Sequence, residues 1–266
     1  MSRTPSKRLD DRVVIATSTS LDITVRLPRN EKGLCPDKVR AGDANDGGWW
    51  ICHGNKRPNC VVYSFGIRDN FSFDHVMVTQ HGCIVHGFDP SPDGLASKPA
   101  YETQGTAAVY HSMGLGTTDG TFGPGLVPFR WPGIGYLRDS NTKSWVLKRI
   151  PTIMKELGNK KLSILKVDAE GAEWDMIPDL LGADWDEACM ELHFPPNEYS
   201  LKKAPSNDDM IIIQRISDPS PLEYPEQNVA PINHIAILKG LLAKADVFHW
   251  DRNGAHCLEV YFLRKQ

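Results

Sequence analysis

Asp168, Glu191 and His193 are the residues of this chain best placed for chemistry. Asp168 closes the apolar run Leu162-Ser163-Ile164-Leu165-Lys166-Val167, and Glu191 and His193 end the next run, Cys189-Met190-Glu191-Leu192-His193. Side chains alternate along a strand, so Glu191 and His193 share a face. If the two strands are neighbours in a parallel sheet, all three residues converge at its carboxyl edge, the ligand side of α/β folds. Two carboxylates and an imidazole can take a proton from a weakly acidic hydroxyl. They equally suit magnesium, manganese or an iron-like ion with open positions. Without a metal, His193 is the expected base, with a working pKa of about 6.5. Asp168 also suits the cationic end of a bound donor, and His193 a structural hydrogen bond. Glu173 reads as an acid at a helix start, favoured by the helix dipole, and Glu170 fits either that job or catalysis.

A second constellation runs from Cys60 to Pro90. The apolar run Val61-Val62-Tyr63 breaks at Ser64-Phe65-Gly66, a short helical pattern follows, and Ile84-Val85-His86-Gly87-Phe88 ends on Asp89. Strand, glycine turn, helix, strand, acid is the unit that holds a nucleoside at the carboxyl ends of a doubly wound sheet. Gly66 lets the backbone approach a ligand closely. Asp89 stands where a carboxylate grips ribose hydroxyls. A dinucleotide needs G-x-G-x-x-G, but those positions hold Ser64, Gly66 and Asp69, and an acid is a poor neighbour for a pyrophosphate. S-adenosylmethionine has no phosphate and carries cationic sulfonium and amino groups, which an acidic turn suits. The expected cofactor contacts are Ser64, Phe65, Gly66, Asp89, Pro90 and Asp168, with His111 on the adenine side. A plain tight connection between strands is the alternative reading of the turn.

Several motifs occur in order along the chain. They are D-G-G-W at Asp46 to Trp49, V-Y-S-F-G-I at Val62 to Ile67, S-F-D at Ser72 to Asp74 and V-H-G-F-D-P at Val85 to Pro90. L-K-V-D-A-E-G-A-E-W at Leu165 to Trp174 and E-L-H at Glu191 to His193 complete the series. Together they resemble the methyltransferase-like domain proteins of the secretory pathway, relatives of the FkbM-type O-methyltransferases. The resemblance covers about residues 38 to 264. It implies a class I methyltransferase fold: a Rossmann-like, seven-stranded, mostly parallel sheet with helices on both faces and a C-terminal antiparallel hairpin. It also implies S-adenosylmethionine as donor, a lid around Asp43 and Asp46, and a Golgi or other secretory-lumen setting. It leaves the acceptor open.

The elements that must position these residues follow from alternation. Strands are expected at 61–66, 84–89, 107–112, 162–168, 187–193, 245–250 and 257–264, and helices at 71–80, 144–157, 172–181 and 231–244. Alternation of this kind argues for a parallel sheet wrapped by helices. Asn253-Gly254 is a hairpin signal joining the last two strands. Residues 1–37 read as an N-terminal extension, partly disordered, and 38–266 as the domain. Arg40 to Trp50 reads as loop, and Val13 to Val25 as an accessory strand or helix. Gly114 to Gly135 and Pro195 to Pro231 break the rhythm, the latter with a short helix expected at Met210 to Ile216. Both segments leave the ligand side and read as acceptor walls or as surface loops. Phe122, Phe129, Trp131 and Tyr136 beside glycine and acids would suit a sugar or glycan, or another small hydroxylated acceptor.

Apolar residues make up 41% of the 266, enough for one sizeable core, and the net charge is −3. No basic stripe supports a nucleic-acid groove, and no apolar run reaches a membrane span. The start lacks a signal-peptide core, which fits a cytoplasmic protein or one whose leader is not in this sequence. Of six cysteines, Cys60 and Cys83 begin adjacent predicted strands, and Cys35 and Cys52 flank the D-G-G-W loop. They read as buried free thiols or as disulfides, the latter requiring an oxidising compartment. No zinc-type C-x-x-C spacing occurs. An NAD-dependent oxidoreductase and a non-catalytic nucleoside-binding domain are the competing functions.

Overall fold

Val61–Phe65 (β1), Ile84–Phe88 (β2), Ala108–His111 (β3), Leu162–Val167 (β4) and Trp185–His193 (β5) are short apolar runs buried on both faces, the pattern of a parallel sheet. The computed structural model describes residues 24–28, 31–52, 58–122, 144–194, 199–204, 207–215, 234–254 and 256–265. Ala245–Asn253 (β6) and Cys257–Arg264 (β7) complete a seven-stranded sheet in the order β6-β7-β5-β4-β1-β2-β3. The five strands from β5 to β3 are parallel, and β7 is inserted antiparallel between β5 and β6. This is the class I, Rossmann-like fold. The order reverses at β1 and β4, and there the connections part to opposite sides and open a crevice.

One face of the sheet carries the larger core. Tyr63, Phe65, Leu165, Val167, Met190 and Leu192 pack under the helices Ile150–Glu156 (α3), Glu173–Gly182 (α4) and His234–Lys244 (α5). A three-stranded sheet of Thr24–Pro28, Asn207–Arg215 and Tyr199–Ala204 joins this layer. The opposite face is covered by Ser72–Thr79 (α1) and by a hairpin of Val39–Ala41 with Trp49–Ile51. Pro92–Glu102 (α2) lies beyond β2, and its N-cap Ser91 accepts a hydrogen bond from Gly94 N at 3.1 Å.

Three expectations change. Of the helix expected at Met210 to Ile216, the described part, Met210 to Arg215, belongs to a strand, because the β-branched run Ile211-Ile212-Ile213 pairs on both edges. The expected helix 144–157 divides into the strand Trp145–Lys148 and α3, since Pro151 is tolerated only in a first helical turn. The expected loop from Arg40 to Trp50 contains a hairpin. Helix α2 was not anticipated. Phe129, Trp131 and Tyr136 lie outside the described residues.

Cys60 and Cys83 are disulfide-bonded with their Cα atoms 4.5 Å apart, tying the starts of β1 and β2. Cys35 and Cys52 form a second bond across the hairpin, at 5.5 Å. No described helix is long and apolar enough to cross a membrane.

Asp74 on α1 is 1% exposed. Burial pushes its carboxyl up to about 6, although the Lys166 ammonium and the Ser64 hydroxyl pull the other way. A folded-state pKa above the unfolded one favours folding only while the group is protonated. That contribution is full below about pH 4 and is lost as pH rises through about 6. Asp74→Asn should therefore stabilise the fold by on the order of 2–3 kcal/mol at pH 8 and by little at pH 4. Thermal melts at the two pH values check this, and equal effects at both would contradict it.

Candidate active site

The carboxyl ends of β1, β2, β4 and β5 open into a cavity of about 400 Å³. Its floor at one end is the turn after β1. Gly66 adopts φ +73° and donates its N–H to Phe88 O at 3.0 Å. A Cβ there would fall 1.7 Å from Asp168 O, so the turn can lie against the β4 end only with glycine. Asp89, 4% exposed, accepts from Arg68 N at 2.6 Å and from Ser91 N at 2.7 Å. Its carboxylate thus fixes the turns after both strands while each oxygen keeps acceptor capacity toward the cavity. Phe65, Pro90, Ile67 and Asp69 also line this end, as do Asp46 and Trp49 of the D-G-G-W loop.

Ser64 and His111 do not line the cavity. Strand alternation turns Ser64 to the opposite sheet face from Phe65, where it is fully buried beside Asp74. His111 stacks on Phe88 and pairs with His86, Nε2 to Nδ1 at 3.0 Å. Burial, with His86 and nearby lysines adding to it, lowers the His111 pKa to about 4. It supports the Phe88 wall from behind. Asp43 accepts from Asn70 Nδ2 at 3.2 Å, which ties the hairpin loop to the start of α1, and does not line the cavity.

The other end gathers Asp168, Glu170, Glu191 and His193, the four residues expected to act in catalysis. Parallel pairing of β4 with β5 sets Val167 beside Met190, which puts Asp168 level with Glu191. Glu173, the first residue of α4 and 0% exposed, is the organiser. Its Oε2 accepts from Gly171 N at 2.8 Å, and its Oε1 accepts from His193 N at 2.8 Å and from the His193 Nδ1 edge at 3.0 Å. That contact orients the imidazole so that Nε2 faces Glu170 Oε2 at 3.5 Å and Glu191 Oε1 at 3.9 Å. Burial works against the charged ring, but the Glu173 carboxylate and a hydrogen bond to Cys257 outweigh it and raise the His193 pKa to about 12. Burial first, and the Asp168 charge second, push Glu191 up to about 8. Burial also raises Asp168, against the pull of Lys166 and His193.

Three contributors escaped the sequence reading. Lys166, 5% exposed, donates to Phe65 O at 3.0 Å and Gly66 O at 2.8 Å, clamping the glycine turn. A lysine inside an apolar strand was the available signal. Asn253 donates to Glu191 Oε1 at 3.0 Å. Cys257 is the Cα partner of His193 across β5 and β7. Both flank the Asn-Gly turn, whose return to the cavity depends on β7 entering between β5 and β6.

A family model described as a methyltransferase domain matches residues 30–215. Among curated proteins, the chain is 27% identical over 157 residues to the human "Probable methyltransferase-like protein 24", covering 56% of this chain and 37% of that protein. The rat protein of the same description is 26% identical over 167 residues, covering 57% and 40%. The chain therefore matches well under half the length of these relatives. Among solved structures, the N-terminal domain of EvdMO1 with SAH bound aligns with a TM-score of 0.41 and 10% identity, over 78% of this chain and 75% of that one. A Burkholderia thailandensis 1,6-didemethyltoxoflavin-N1-methyltransferase aligns with a TM-score of 0.38 and 10% identity, over 78% and 72%.

Proposed function

This chain belongs to the methyltransferase-domain family, and from that premise we propose that it transfers a methyl group from S-adenosylmethionine to a hydroxyl of a sugar, glycan or similar small acceptor. The observation that carries the reading is one cavity with two chemically different ends. Gly66 and Asp89 supply the nucleoside end, and Asp168, Glu170, Glu191 and His193 the reactive end. Asp46, Asp69 and Asp89 at the first end favour a cationic sulfonium donor and disfavour the pyrophosphate of a dinucleotide.

In this reading the donor is already activated, and the protein aligns the methyl with the acceptor oxygen for in-line displacement. The carboxylates of Asp168 and Glu191 accept the hydroxyl proton. His193, its Nδ1 edge held by Glu173, presents Nε2 as a further proton acceptor. Trp145 offers a ring face for the C–H side of a sugar, and the acids take its hydroxyls. For the divalent ion of the magnesium or manganese class expected among Asp168, Glu191 and His193, the tighter group is Asp168, Glu170 and His193, a second route to the same stabilisation. Their ligand atoms lie within 4.8 Å of one another.

Calorimetry with S-adenosylmethionine and its demethylated product tests the donor. Asp89→Ala should weaken binding by about 1.5–3 kcal/mol, the scale of hydrogen bonds to charged groups. Tight NADH binding with no response to either nucleoside would remove the proposal. The two disulfides support an oxidising compartment such as the secretory lumen. Thiol titration of the unfolded, unreduced chain should then find the two free cysteines, Cys189 and Cys257. Six reactive thiols in protein from its native compartment would argue for a reducing one.

A further inference from the structure

We propose that the reactive end of the cavity is a zinc-class metal site whose protein ligands are Glu191, His193 and Cys257. This deepens the reading of that end as the acceptor end, and rests on it.

Cys257 differs in kind from the other cysteines. Four are disulfide-bonded, and Cys189 is buried in the core with its thiol directed to Trp50 O at 3.4 Å. Cys257 alone of the six lines the cavity. It is there because β7 runs antiparallel beside β5 and sets Cys257 directly across from His193, on the sheet face that also carries Glu191. One ligand atom each from Glu191, His193 and Cys257 lie within 4.8 Å of one another.

The surroundings of His193 point the same way. Its Nδ1 edge is committed to the fully buried Glu173 at 3.0 Å. A carboxylate behind a ligating histidine fixes the ring and directs the other nitrogen to the metal. Here Nε2 is the nitrogen nearest Glu191, at 3.9 Å. Glu173 therefore supplies the supporting contact that such a site needs.

Donor chemistry selects the ion. Magnesium and calcium take oxygen ligands, whereas a thiolate, an imidazole and a carboxylate together match zinc. Three protein ligands leave a fourth position for the acceptor oxygen, whose negative charge the ion would stabilise. The oxygen-rich trio Asp168, Glu170 and His193 competes for the same imidazole. The two sets differ by sulfur, which can be read spectroscopically.

The test uses the full chain stripped with a chelator and titrated with cobalt(II). One equivalent should produce a thiolate-to-cobalt charge-transfer band in the near ultraviolet, and zinc should displace it. Cys257→Ser should lose the band. Glu173→Gln should keep it and weaken zinc binding by roughly 10–100-fold, the range for supporting residues. Cobalt binding without the band, or with a band that survives in Cys257→Ser, would overturn the proposal in favour of the oxygen set or another thiol. No cobalt binding by wild-type chain would overturn it outright. Wild-type chain alone can refute it, so the outcome does not hang on whether a variant folds. Calorimetry with S-adenosylmethionine on the stripped chain reports the donor reading separately.

Discussion

Glu191→Gln should slow methyl transfer by about 10²–10⁴-fold while leaving donor affinity nearly unchanged. Glutamine keeps the volume and can still accept the Asn253 hydrogen bond seen at 3.0 Å. It cannot take a proton from the acceptor, and it is a poor ligand for a cation. Only the charged carboxylate serves either role, so the expected loss does not depend on which one operates. Glu191 is 8% exposed and lies on β5, separated by β4 from the glycine turn after β1. His193→Ala should act at the same step, because the imidazole faces the same carboxylates. Single-turnover rates on a panel of sugars, with calorimetry of the donor in parallel, separate the two effects. Full activity in both variants would refute this active site. Equal losses in rate and donor affinity would instead mean that the cavity as a whole had collapsed.

The sequence made the parallel core legible because each strand is a short apolar run ending in a polar residue at the ligand edge. Gly66, Asp89, Asp168, Glu191 and His193 were all visible as such endings, and all line one cavity. Contacts between residues distant in sequence were not visible. Glu173 looked like a helix-start acid, yet its main partner is His193 on the next strand, 2.8–3.0 Å away. Neither residue type nor spacing could distinguish these roles. Ser64 and Phe65 both read as cofactor contacts, but side chains alternate along β1, so Phe65 lines the cavity and Ser64 lies on the other face. Met210 to Ile216 shows pattern yielding to partners. An isoleucine run is ambiguous alone, and strands on both sides decide it.

Among the described glycines, Gly66→Ala is expected to be the most damaging single methyl. Two costs combine there. An L-residue at φ +73° occupies the left-handed region, a strain of roughly 1–3 kcal/mol. In addition, the new Cβ would lie 1.7 Å from Asp168 O and 2.8 Å from Asp168 C, both backbone atoms that no rotamer change can move aside. Relief requires the β1 turn to part from the β4 end, which pulls against the Lys166 clamp on Phe65 O and Gly66 O. That movement also displaces Asp168 from its place in the cavity wall. Gly82 provides the control. It has nearly the same backbone, φ +70°, but nothing lies within 4 Å of a Cβ placed on it, and it does not line the cavity. Gly82→Ala should thus cost only the conformational strain, with donor binding intact. Gly66→Ala should melt several degrees lower still, on a scale of about 2–4 °C per kcal/mol for a domain of this size, and lose measurable donor binding. Melting curves and calorimetry on the pair decide the matter. If Gly66→Ala binds the donor as wild type does, the close approach of the two strand ends is not what builds the nucleoside site.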